Sequence, residues 1–160
     1  MITIMIKDPN TSVAGPCLFS IVNFKNSIGY SRLLNQFKSL ITINDTIEWK
    51  PEIATMDFED GLKSAMTGIF PTTKQIGCLF HFKQALFRHA REKGMLKQSC
   101  TLITENIISS LSALSWSKNF EVYEEEFNKL WCKTKELNGE AFDEYFKYFE
   151  NTWIPRFKKG

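Results

Sequence analysis

The chain has 160 residues, 43% of them hydrophobic and 14% aromatic, including fourteen Phe. That length and apolar content support a domain with a real core and exclude a disordered chain. A formal charge of +2 is too mild to announce a nucleic-acid binder, so any basic surface must come from local arrangement.

Taken in chain order, Ile2–Ile6 is short, apolar and β-branched, and the turn residues Asp8-Pro9-Asn10 close it. Cys17–Val22 is a second apolar run, entered after Gly15-Pro16; the two read as a hairpin with a loop over residues 7–15. Tyr30, Leu33, Leu34, Phe37, Leu40 and Ile41 recur at helical spacing, which predicts a helix from about Asn26-Ser27. Glu52–Met56 follows Pro51 and fits a buried strand. Leu62, Ala65, Met66, Ile69 and Phe70 then mark a helix that Pro71 stops. Gln75–Phe80 reads as a strand again, and a basic helix starts at Phe82. From about Thr101 the pattern is helical throughout, with stripes over residues 102–114, 120–131 and 142–153. Strands alternating with helices at this spacing predict an α/β fold with a mixed sheet, followed by an α-helical region. The expected division is residues 1–98 and 99–160.

No apolar run is long enough to cross a bilayer. The cysteines Cys17, Cys78, Cys100 and Cys132 form no CxxC pair, and His81 and His89 are the only histidines. Reduced thiols in a soluble intracellular protein are the simplest account.

Asp57 falls where a strand ends and a helix begins, the position at which open α/β sheets gather functional groups. An N-cap is the commoner role for such an acid, with Glu59 and Asp60 favoured in the first turn by the helix dipole. Cys78 and His81 form a CxxH pair. It supplies two ligands where a tetrahedral zinc site needs four, so no bound zinc is expected. Lys83, Arg88 and Arg91, with Lys93 and Lys97, make the following helix basic, either as a solvated face or as a surface for phosphates.

Several of these residues, in this order, resemble the Mutator-like element (MULE) transposase domain. They are Asp57-Phe58-Glu59, Ala65, Phe70-Pro71, Gly77-Cys78, Phe80-His81, Gln84-Ala85-Leu86 and Arg88. The run GPCLFSIVNFKNSIGYSRLLNQFKSL and the ending YFKYFENTWIP are similar to further parts of that family. The resemblance implies an RNase H-like fold and a DNA transposase that cuts and joins strands with Mg²⁺ or Mn²⁺. It also implies DNA, namely transposon ends, as partner, a nuclear location, and homo-oligomerisation as an option. In it Asp57 corresponds to the second acid of the catalytic, metal-holding triad, and Cys78 and His81 to a CxxH signature of unknown role. The family's first and last acids have no counterpart: Asp8 sits before a proline in a turn, and Glu124, Glu125, Glu126 and Glu150 lack the surrounding motif. The resemblance therefore implies an internal fragment, lacking the first strand of the sheet and inactive alone. The alternative reading is a transposase-derived DNA-binding or protein-interaction module without chemistry.

Overall fold

The computed structural model describes residues 1–7, 10–11, 13–41, 49–97, 100–115, 117 and 119–158. Asp8 and Pro9 of the expected turn, and residues 98 and 99 at the expected division, lie outside them. The chain forms two compact units, Met1–Gln75 and Ile76–Gly160.

In the first unit, β1 (Ile2–Lys7) and β2 (Ala14–Ser20) pair as an antiparallel hairpin, running from Ile2 opposite Ser20 to Lys7 opposite Ala14. The second strand starts three residues earlier than the sequence predicts and takes in Pro16, opposite Met5 where the register shifts. A hairpin strand tolerates that proline at a bulge or an open edge, where no ladder donor is required. Helix α1 (Ser27–Ile41) begins where expected: Asn26 Oδ1 accepts the Gly29 N–H at 2.8 Å, a side-chain cap on the first turn. Strand β3 (Ile53–Met56) and helix α2 (Asp60–Ile69) follow, and Pro71 comes just after the helix ends.

Tyr30 and Leu34 of α1 and Ala65, Met66 and Phe70 at α2 form the core of this unit. Ile2 and Ile4 of β1, and Ala54 and Met56 of β3, pack onto the same cluster. A Cβ at Gly61 would lie 3.1–3.2 Å from the backbone of Asn26 and Ser27, so this glycine lets α2 approach the start of α1.

Strand β4 (Lys74–Gly77) pairs with β3, and the described strands thus form two sheets of two strands each. The α/β class stands, but the single mixed sheet does not form among the described residues. The physical reason lies in the helices. The inward side chains of β1 and β3 are both covered by the α1–α2 cluster, so the apolar alternation is satisfied without a ladder between the two strands.

The second unit is helical apart from the end of β4. It comprises α3 (Leu79–Glu92), α4 (Thr101–Leu114), α5 (Phe120–Asn138), a short 3-10 turn (Gly139–Phe142), α6 (Asp143–Thr152) and α7 (Ile154–Lys158). Helix α3 starts three residues before the sequence places it, and β4 ends three residues earlier. Ile76-Gly77-Cys78-Leu79-Phe80 is a short apolar run that periodicity cannot assign, and the helix wins because Phe82, Leu86 and Ala90 continue a buried stripe. An aromatic cluster fills this core: Phe82 meets Trp153 edge-on at 4.6 Å between centroids, and Phe127 stacks on Phe149 at 5.5 Å. Trp131 stacks on Phe146 and donates from Nε1 to Asp143 Oδ1 at 2.8 Å. Trp153 is buried in this core, as its helical spacing predicts, whereas Trp131 is half-buried against Phe127 and Phe146.

Candidate functional site

Asp57 is the first residue after β3 and lies three positions ahead of α2. It is not the N-cap; Glu59 holds that position, with φ −90° and ψ 116°. The Asp57 side chain is exposed and turned back on its own loop, where Oδ1 accepts the Phe58 N–H at 2.7 Å.

Glu59 does not cap α2 with its side chain either. The buried Tyr30 hydroxyl on α1 donates to the Glu59 carboxylate, while Glu59 Oε1 is shielded from solvent and has no partner. The Tyr30 phenol is pushed up to about 12. Burial is the largest cause, followed by the bond to Glu59, the charge of Glu59 and the charge of Asp57. Tyr30, Glu59 and Asp57 therefore form one local electrostatic group at the β3–α2 junction.

Sequence reasoning missed that group. Tyr30 falls on the apolar stripe of α1 and reads as plain core, and Glu59 reads as a first-turn acid. A residue-pair signal across twenty-nine positions is not present in one chain.

Cys78 and His81 lie in the second unit. Cys78 is the N-cap of α3, with φ −71° and ψ 120° and no side-chain capping bond; it is not on β4, where the sequence places it. His81 is the third residue of the helix, and its Nδ1 is shielded from solvent without a partner. The CxxH spacing is thus that of an N-cap and the third helical position, which share one side of the first turn.

Phe80, Gln84, Arg88 and Arg91 occupy the outward face of α3, opposite Phe82, Leu86 and Ala90. Lys83 is half-buried at the edge of this face. Three of the tail's glutamates are held in ion pairs: Glu124 pairs with Lys158, and Glu125 and Glu126 both pair with Lys129. Among the described residues no three His, Cys, Asp or Glu side chains converge into a group able to hold a metal ion. Asp57 alone offers one carboxylate where two ions in line need several, so the described acids do not fit a two-metal centre.

The family model for the MULE transposase domain matches residues 1–85, from the first hairpin into α3. That is more than half of the chain, and the protein belongs to this transposase-domain family. No curated protein and no solved structure matches it. Ala65 and Phe70, both within the matched residues, are buried and serve packing. No helix among the described residues is long and apolar enough to cross a membrane.

Proposed function

We propose that the chain is part of an RNase H-type transposase core, in which Asp57 supplies one carboxylate to metal-dependent cutting and joining of DNA. The observation carrying this reading is the position of Asp57: exposed at the carboxyl end of β3, in the block that matches the family, and not used to cap α2. Glu59 and Tyr30 hold the loop beside it. Because no second and third acid join Asp57 among the described residues, the 160-residue chain performs no strand transfer by itself. Lys83, Arg88 and Arg91 give α3 a sequence-independent affinity for the DNA backbone. A module that binds DNA without chemistry is the second reading, favoured by the same arginines, which make no ion pair among the described residues.

Two measurements test the first reading. Incubation with pre-cleaved DNA ends and Mg²⁺ or Mn²⁺ gives no joined product; products that vanish on Asp57→Ala would mean that other acids of the chain complete the site. Titration with Mn²⁺ broadens the NMR signals of residues 57–59 first and weakly, and Asp57→Asn removes that broadening. Broadening centred elsewhere would leave the DNA-binding module as the better reading.

A further inference from the structure

Phe80 is 67% exposed, although it stands in the first turn of a long helix whose other side is core. Single exposed apolar residues are common on protein surfaces, so exposure alone says little. Its company is more informative. Positions 80, 84, 88 and 91 fall on one row of α3, and that row reads Phe80, Gln84, Arg88, Arg91, every one exposed. Neither arginine makes an ion pair or a side-chain hydrogen bond with any described residue. Glu92, the helix's only acid, is exposed at the helix end four positions after Arg88, and it forms no ion pair with either arginine. The row is about 16 Å long at 1.5 Å per residue, room for several phosphates. Phe80 also meets the His81 ring edge-on at 5.6 Å between centroids, which limits where the phenyl ring can swing.

We infer that this face of α3 binds single-stranded or unpaired DNA, with the Phe80 ring stacking on an exposed base and Arg88 and Arg91 meeting the phosphates that follow it. The inference rests on the DNA-acting reading above and narrows it. Arginines attract any DNA, but a phenyl ring finds a base face only where the helical stack is open. Gln84, between the ring and the arginines, offers both a donor and an acceptor to a base edge or a phosphate.

The test is fluorescence anisotropy of the full chain with a labelled single-stranded oligonucleotide, its duplex, and the RNA strand of the same sequence. Circular dichroism checks that each variant is folded. The single strand binds more tightly than the duplex. Phe80→Ala weakens single-strand binding about tenfold and leaves duplex binding unchanged, as loss of one stacked base requires, and Phe80→Tyr restores it. Arg88→Gln with Arg91→Gln weakens both and lowers the salt slope by about one to two. Single-strand binding that needs the arginines but ignores Phe80 would overturn the stacking and keep the DNA reading. Absence of any DNA binding would overturn both. Tighter binding of RNA, or self-association of the chain that Phe80→Ala abolishes, would give the face to a different partner and overturn the inference.

Discussion

Tyr30 carries the clearest single-residue consequence. Its hydroxyl gives Glu59 the one hydrogen bond that this partly buried carboxylate has from α1. Tyr30→Phe removes that donor and leaves a shielded carboxylate without it, which is expected to destabilise the fold by about 1–3 kcal/mol in urea denaturation. The pH dependence follows from the raised phenol. Below about pH 10 the folded and unfolded chains both keep this proton, and the stabilisation is complete. Between that pH and about 12 the unfolded chain loses a proton that the folded chain keeps, so stability falls as pH rises. Phenolate absorbance followed on wild type and Tyr30→Phe shows one late-titrating phenol lost in the variant. At this scale the sequence was legible in part. The placement of Asp57 followed from a strand, a break and a helix written one after another, which one chain records. Whether that position makes Asp57 catalytic is a question of partners, and a linear pattern does not record partners.

At the scale of elements, the start of α1 was legible to within about a residue because an apolar stripe and Asn26 at its head agreed on it. The β4–α3 boundary was not. A five-residue apolar run carries both periods, and only burial of Phe82, Leu86 and Ala90 decides between them. Nor could the sequence reveal that α1 and α2 would cover both small sheets and make one continuous ladder unnecessary. Gly29 shows how tightly α1 is seated. A Cβ there would run into the Phe24 ring, which itself packs edge-on against Tyr30 at 5.4 Å. Gly29→Ala therefore displaces Phe24 and lowers stability by about 1–3 kcal/mol, despite alanine's better helix propensity. In a double-mutant cycle, Phe24→Ala absorbs most of that loss, because the ring that clashes is gone. Additive effects of the two substitutions would show that the clash relaxes elsewhere.

At the scale of the whole molecule, the two compact units offer different handles on stability. The second unit contains His89, stacked on Tyr148 at 3.6 Å between centroids, with Nε2 shielded and without a partner. Burial, and next the charge of Lys93, hold its pKa below the ordinary histidine value, against smaller opposing pulls from Glu92 and Glu144. Above about pH 6.5 the imidazole is neutral in both states and the unit has its full stability from this group. As pH falls through that value the unfolded chain takes up a proton that the folded chain resists, so stability declines. His89→Phe keeps a ring against Tyr148 and removes this part of the acid sensitivity. Hydrogen exchange in α3 and α6 at mildly acid and neutral pH reads the difference, and an unchanged acid sensitivity in the variant would place its source elsewhere. The helical character of this unit was legible from its aromatic stripes, whereas the pairing of His89 with Tyr148, from separate helices, was not.

The hairpin has one further consequence, for the behaviour of the protein in concentrated solution. Neither β1 nor β2 has a second neighbour among the described strands, and the hairpin displays Met5 and Phe19 at 58% and 65% exposure. Open strand margins with apolar side chains recruit strands from other molecules, the first step of fibril growth. Pro16 stands in the middle of β2, where a missing amide hydrogen spoils the template. It acts as a gatekeeper: Pro16→Val shortens the lag before thioflavin-positive fibrils form, while Phe19→Lys on the same hairpin lengthens it.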